Sequence, residues 1–183
     1  MIALIGLPGS GKSTVGRQLA RRLALPFLDT DQVIEARLGC SIREFFEREG
    51  ETSFRDQEQA VLDELTQGSP AVLSTGGGAV LRPANRQCLR SRAQVVYLRS
   101  TPEELFRRLR HDRSRPLLQV ADPLQRLRDL AAVRGPLYQE TAHFVVDTGR
   151  PSVAALVNAI VMQLELAGAM PQAGLPTATP TDA

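Results

Sequence analysis

The sequence predicts an α/β fold of three layers, in which helices cover both faces of a five-stranded parallel sheet. Short buried strands alternate along the chain with segments of helical periodicity, a pattern typical of parallel strands joined by helical crossovers. The chain has 183 residues, of which 43% are hydrophobic and 23% are charged. It is therefore long enough to build one domain with its own core, which we expect over residues 1–167.

The first elements follow from an apolar run and from helical spacing. Residues Ile2–Ile5 are continuously apolar, which is typical of a buried strand. A glycine-rich turn comes next, and Val15, Leu19 and Leu23 then recur every four residues. That spacing predicts a helix directly after the turn.

Helix caps and short apolar runs mark the remaining elements. Ser41 with Glu44 forms a capping box that opens one helix, Thr101 before Pro102 opens another, and Ser152 caps the last. Further strands are predicted at residues 26–28, 71–73, 95–98 and 144–146, and the apolar spacing of Phe54, Val61, Leu62 and Leu65 predicts one more helix.

Two segments lack apolar periodicity. Residues 111–123 are polar and contain prolines at 116 and 123, which predicts a mobile loop. Residues 168–183 are small or rich in proline and threonine, which predicts a disordered tail.

The charge balance argues against a nucleic-acid partner. Lysine and arginine total 22 against 20 acidic residues, a net charge of +2, without the excess that a nucleic-acid surface needs. Lys12 is the only lysine, which predicts that arginine cannot serve in its place.

The apolar runs and the cysteines indicate where the protein works. No apolar run approaches the roughly 20 residues that cross a bilayer. Cys40 and Cys88 stand far apart, which disfavours both a disulfide and a zinc site. We therefore expect a cytoplasmic protein without a membrane partner.

A phosphate-binding motif stands between the first strand and the first helix. Residues 6–14 fit the pattern G-x-x-x-x-G-K-[ST], known as the P-loop. Its glycines let backbone N–H groups turn inward around phosphates, and the helix N-terminus adds positive potential. The residues expected to hold ATP here are Gly9, Ser10, Gly11, Lys12, Ser13 and Thr14, with the Ser13 hydroxyl as a magnesium ligand.

Two carboxylates follow the second predicted strand. Asp29 and Asp31 lie at the carboxyl edge of the sheet, where open α/β folds bind ligands. Two residues apart in extended chain, they are expected to point the same way. One of them is a candidate for holding Mg²⁺ and the other for accepting a hydroxyl proton.

A run of three glycines follows the third predicted strand. Residues 76–78 carry no side chains, which predicts that a ligand or another stretch of backbone approaches closely there. Among the many arginines, Arg115 lies in the proline-bounded loop, where a lid could carry it over a transferring phosphoryl group.

The motifs together resemble the shikimate kinase family over residues 1–165. Beyond the P-loop, five groups match in order and spacing: residues 27–31, Gly50-Glu51 with Phe54-Arg55, the stretch from Arg55 through Glu58 and Leu62 to Val80, residues 115–118, and Arg134 with residues 136–138. The resemblance implies transfer of the ATP γ-phosphoryl group to the 3-hydroxyl of shikimate, on the route to aromatic amino acids. It also implies a P-loop kinase fold with a mobile lid at about residues 110–122.

The same resemblance implies roles at the acceptor end of the site. Asp31 would grip the acceptor hydroxyls and serve as the candidate base. Arg55 and Arg134 would pair with the acceptor carboxylate, the backbone of Gly77 and Gly78 would contact the acceptor, and Phe46 and Phe54 would wall the pocket.

At the nucleotide end, the resemblance implies a second set of roles. Asp29 would join Ser13 around Mg²⁺, and Arg115 would come from the lid to the γ-phosphate beside Lys12. Arg108 and Arg150 lie where the family tends to hold the adenine base.

Three other functions account for fewer of these residues. Another small-molecule kinase, such as a gluconate kinase, would share the P-loop but lack the combination of Arg55 with residues 76–78. A GTP-driven switch uses an Asn-Lys-x-Asp stretch, and no lysine follows residue 12. An inactive nucleotide-binding module fits poorly with Lys12, Ser13, Asp29 and Asp31 all present. We expect a monomer.

Overall fold

The computed structural model describes residues 1–109, 120–149 and 151–170. Its elements, in chain order, are β1 (Ile2–Ile5), α1 (Lys12–Leu23), β2 (Phe27–Asp29), α2 (Thr30–Leu38), α3 (Ile42–Gln67), β3 (Val72–Ser74), a short 3-10 helix (Ala79–Leu81), α4 (Pro83–Arg92), β4 (Gln94–Arg99), α5 (Pro102–Leu109), α6 (Pro123–Thr141), β5 (Phe144–Asp147) and α7 (Val153–Leu166). All five predicted strands are present, the second and third each shifted by one residue.

The strands form one parallel sheet in the order β2-β3-β1-β4-β5. Alternate residues of β1 point to opposite faces, so Ile2 and Leu4 pack with α1 and α7 while Ala3 and Ile5 pack with helices on the other side. The predicted three-layer α/β/α fold is therefore confirmed.

Local sequence explains the helix boundaries. The predicted capping box is present, since the Ser41 Oγ accepts from the Glu44 N–H at 3.2 Å and a Glu44 carboxylate oxygen accepts from the Ser41 N–H at 2.8 Å. The two helices predicted on either side of residue 50 form the single segment α3, broken at Gly50 where φ is 80°. An L-residue rarely adopts that φ, so glycine permits the break.

Three helices were missed by the sequence analysis. In α2 the apolar spacing is weak, because only Ile34 among its apolar side chains is fully buried. Helix α6 begins at Pro123, with the Asp122 carboxylate accepting from the Gln125 N–H at 2.9 Å, so the proline read as part of a loop is the first residue of a helix. Helix α4 likewise begins at a proline, Pro83.

Parts of the predicted lid and tail fall outside the described residues. Of the lid, only residues 120–122 are described, and of the tail only residues 168–170. Ala169 and Met170 pack against the apolar layer formed by α1 and α7. No helix in the described ranges is both long and apolar enough to cross a membrane.

Substitution of Gly16 tests the packing of α1 on the sheet. A Cβ at this position would lie 2.6 Å from the Phe27 ring and 3.2 Å from Leu4 Cδ1. We expect Gly16→Ala to lower the free energy of unfolding by roughly 1–3 kcal/mol through overpacking, measured by urea denaturation. In a Phe27→Leu background the ring is gone and the cost should shrink; an unchanged cost would contradict this contact.

Candidate functional site

The P-loop wraps the carboxyl end of β1. Gly6, Gly9 and Gly11 have φ values of 147°, 83° and 93°, which turn the intervening backbone inward as only glycine readily permits. Gly11 is the N-cap of α1, so the loop ends at the positive end of that helix. Lys12 is buried, and its Nζ donates to the carbonyl oxygens of Gly6 at 2.8 Å and Leu7 at 3.0 Å.

A cavity of about 340 Å³ opens in front of this loop. It is lined by residues of the P-loop, the first turn of α1, the ends of β2 and β3 with the chain just after β3, the start of α2, and the last residue of α5. Its lining comprises Pro8, Gly9, Gly11, Lys12, Ser13, Thr14, Asp29, Asp31, Ser74, Thr75, Gly77 and Leu109. Of these, Leu109 was not singled out from the sequence, and Ser74 and Thr75 were noted only as part of the family stretch, without a role.

Asp29 joins the P-loop to the next helix. One of its carboxylate oxygens accepts from the Ser13 hydroxyl at 2.8 Å, and the other accepts from the Asp31 N–H at 3.1 Å. The second bond caps α2, so the chain is helical at Asp31 rather than extended as predicted. Both carboxylates nevertheless line the same cavity.

The Ser13 and Asp29 oxygens fit a magnesium ion. Mg²⁺ prefers oxygen ligands and usually takes only one or two from carboxylates, with phosphates and water completing its shell. Within the described ranges no group of three or more acidic, histidine or cysteine side chains could hold a metal by itself. This donor set therefore suits an ion that arrives with a nucleotide.

Asp31 has the electrostatics of a proton acceptor. Burial, with the negative charges of Asp29 and Glu58, raises its pKa from 3.8 to about 6, against the opposing effect of Lys12. A carboxylate with a pKa near 6 is ionised at neutral pH and more basic than an exposed one.

Arg55 is held in place from within α3. Its Nη1 donates to Glu58 at 2.7 Å, and its guanidinium lies 5.2 Å from the Phe54 ring centroid. The Glu58 side chain is 1% exposed, and burial raises the pKa of Glu58 while Arg55 lowers it. Sequence reasoning gave Glu58 no role, although its three-residue spacing from Arg55 is a pairing signal in a helix.

Phe46 and Phe54 pack against each other beside Arg55, and neither is among the residues that line the phosphate cavity. The rings of Phe46 and Phe54 lie 4.5 Å apart between centroids, and the Arg55 guanidinium lies 5.9 Å from the Phe46 centroid. The two rings thus flank the arginine on its apolar side.

Each glycine of the run 76–78 has a different close neighbour. A Cβ at Gly76 would lie 2.7 Å from a Glu58 oxygen and 2.8 Å from an Asp31 oxygen. A Cβ at Gly77 would meet Pro8 at 2.8 Å, and one at Gly78 would meet the Arg55 guanidinium at 2.4 Å. A close approach is therefore present, but side chains make most of it, where the sequence predicted a ligand or backbone.

Arg134 and Tyr138 come to the same glycines from α6. Arg134 Nη1 and the Tyr138 hydroxyl donate to the Gly77 carbonyl at 3.0 Å and 2.5 Å. Tyr138 is fully buried and stacks on Tyr97 at 5.1 Å, and this burial raises its pKa. Tyr138 therefore fixes the Gly77 peptide, and Arg134 and Arg55 border adjacent residues of the chain.

Of the three arginines predicted at the nucleotide end, the structure describes Arg108 alone. Arg108 donates to the hydroxyl of Thr148 at 3.2 Å and also to the Thr148 carbonyl oxygen, at the end of β5. It does not line the phosphate cavity. Arg115 and Arg150 lie outside the described residues.

Known proteins similar to this chain identify its family. A model of the shikimate kinase family matches residues 8–165. A shikimate kinase of Paracidovorax citrulli is 64% identical over 173 residues, covering 93% of this chain and 94% of its own. The chain belongs to the shikimate kinase family.

Solved structures agree with this family. A shikimate kinase from Acinetobacter baumannii in complex with shikimate is 46% identical, covers 91% of this chain and 93% of its own, and has a TM-score of 0.85. A gluconokinase from Sinorhizobium meliloti covers 91% of this chain and 95% of its own at 18% identity and a TM-score of 0.50, which is evidence of a shared fold alone. The resemblance to shikimate kinases expected from the motifs is confirmed.

The basicity of Asp31 can be measured directly. In the unliganded protein we expect its carboxyl ¹³C resonance to titrate with a midpoint near pH 6, because of burial and neighbouring negative charge. Asp147 is the matched control, since Arg99 lowers the pKa of that carboxyl below its usual range. A midpoint for Asp31 at or below its ordinary 3.8 would contradict the electrostatic account.

Proposed function

We propose that this chain transfers the γ-phosphoryl group of ATP to the 3-hydroxyl of shikimate. The observation that carries the proposal is the glycine run 76–78, which has the Asp31 carboxylate beside its first residue and two guanidinium groups beside its second and third. A small polyol with a carboxylate at one end matches that distribution of charge.

The two arginines select the carboxylate end of the acceptor. Arg55 is oriented by Glu58 and Arg134 by the Gly77 carbonyl, at 2.7 Å and 3.0 Å. A guanidinium whose direction is already fixed loses little entropy on forming paired hydrogen bonds with a carboxylate. We infer that the acceptor carboxylate lies between them, with the ring against Phe46 and Phe54.

Asp31 then acts at the other end of the acceptor. It accepts the proton of the 3-hydroxyl as that oxygen attacks the γ-phosphorus, and it holds the neighbouring hydroxyl groups. Its raised pKa, about 6, favours this role at neutral pH.

The P-loop positions the other substrate. Backbone N–H groups of Gly9, Ser10 and Gly11 surround the phosphates. Ser13 and Thr14 face the phosphates from the start of α1. Lys12 leaves its carbonyl partners, Gly6 and Leu7, to reach the β- and γ-phosphates. Phosphoryl transfer needs little covalent chemistry from the protein, so positioning and charge neutralisation supply most of the rate.

We also propose roles for the residues expected to complete the nucleotide site. Ser13 and Asp29 would hold Mg²⁺, which when bound neutralises charge on the phosphates. Arg108 and Arg150 would border the adenine base, and Arg115 would reach the γ-phosphate. We further propose a cytoplasmic monomer with no nucleic-acid or membrane partner, in keeping with the net charge of +2.

Acceptor-dependent ADP release tests the proposed function. Purified protein with magnesium and ATP should release ADP on addition of shikimate, and gluconate and nucleoside monophosphates serve as controls. Release with gluconate but not with shikimate would favour the gluconate kinase alternative, which shares the fold but is not favoured by the arginine pair.

Replacement of Asp31 separates chemistry from nucleotide binding. Asp31→Asn keeps the shape but removes the base, so we expect kcat to fall by roughly two to four orders of magnitude. ATP affinity, measured by calorimetry, should stay close to that of the original protein. Unchanged turnover would remove Asp31 from the chemistry.

Replacement of Arg134 tests the acceptor carboxylate. Arg134→Ala should raise KM for shikimate at least tenfold, because loss of a charge-assisted pair costs about 1.5–3 kcal/mol. KM for ATP should change little. Arg128 is a suitable control, since it lies on the same helix and pairs with Glu103 at the surface. A change confined to KM for ATP would show that the carboxylate lies elsewhere.

A further inference from the structure

The phosphate cavity contains one side chain that does not suit phosphate. Its lining is polar or glycine apart from Pro8, which belongs to the P-loop, and Leu109, the last residue of α5. A leucine makes no hydrogen bond and contributes no charge to an anion. Departures from local chemical expectation of this kind occur most often at functional positions.

Leu109 lies directly on the P-loop. A Cβ at Gly9 would be 2.5 Å from Leu109 Cδ1 and 3.1 Å from both Cδ2 and Cγ, so the whole end of the leucine covers this glycine. Leu109 is 6% exposed. The contact leaves no room for water between Gly9 and the end of α5.

The rest of the helix end points elsewhere. Arg108 is tied to Thr148 at the end of β5, and Leu105, one turn earlier, is fully buried and does not line the cavity. Leu109 is therefore the side chain by which α5 reaches the phosphate cavity.

We propose that Leu109 is a specificity-determining residue, which keeps water from attacking the γ-phosphorus and so favours transfer to the alcohol. The inference rests on the proposed kinase activity. In the favoured reaction the acceptor oxygen bonds to the γ-phosphorus, the bond from that phosphorus to the ADP oxygen breaks, and the hydroxyl proton passes to Asp31. With water in place of the alcohol, the same exchange of bonds gives ADP, inorganic phosphate and a proton. An apolar wall beside the phosphate disfavours the second reaction by excluding water.

The experiment compares ADP release without and with shikimate, in the full chain, for matched variants. Leu109→Ala opens the wall, and Leu109→Asn keeps its size while attracting water. Leu109→Met keeps an apolar side chain of similar volume. Leu105→Ala is the control for general loosening, because Leu105 belongs to the same helix and the same apolar cluster.

We expect the ratio of shikimate-independent to shikimate-dependent ADP release to rise about tenfold in Leu109→Ala and in Leu109→Asn, a change of about 1.4 kcal/mol in relative barrier height. Leu109→Met and Leu105→Ala should keep the original ratio. Phosphate release without shikimate, followed separately, should rise in step with ADP. If Leu109→Ala fails to fold, the ratio measured for Leu109→Asn tests the proposal in its place.

Two results would overturn the inference. One is an unchanged ratio in both Leu109→Ala and Leu109→Asn, and the other is an equal rise of the ratio in Leu105→Ala. Neither result touches the proposed function, which is tested separately by whether the original protein releases ADP in response to shikimate.

Discussion

The parallel register of β1, β2 and β3 is the constraint on which the site depends. Residue 29 on β2 lies beside Ser74 on β3, and Ser74 lies beside Leu4 on β1, two residues before the P-loop. Because the three strands end at one edge, Asp29 meets Ser13 across 16 residues of chain. A shift of β2 by one residue would turn this carboxylate to the other face of the sheet.

The second constraint is the space that the glycine run leaves free. Two carboxylates and one guanidinium occupy positions where side chains on Gly76 and Gly78 would lie. Glu58 is buried with Arg55, and a buried charge is tolerated only with such a partner. Acidic and basic groups thus meet along three residues, and under the proposed function the order of these charges would set which way round the acceptor binds.

Sequence reasoning reached the sheet, the phosphate loop and the two carboxylates because each has a local pattern. It missed α2, α4 and α6, since α2 has a weak apolar face and prolines at the starts of α4 and α6 were not read as helix starts. Glu58, Tyr138 and Leu109 were missed as site residues for a different reason. Glu58 lies close to Gly76, Tyr138 donates to the Gly77 carbonyl and Leu109 covers Gly9. Each contact joins segments far apart in the chain, and no local pattern records it.

The most direct test of the account is the position of the phosphate in the product. The arginine pair and Asp31 lie at opposite ends of the acceptor in this account, so a single hydroxyl faces the nucleotide. Phosphorus–proton correlation NMR of the product formed from shikimate should show the phosphorus coupled to the proton on carbon 3. Coupling to a proton on another carbon would contradict the proposed orientation, and inorganic phosphate alone would contradict alcohol transfer.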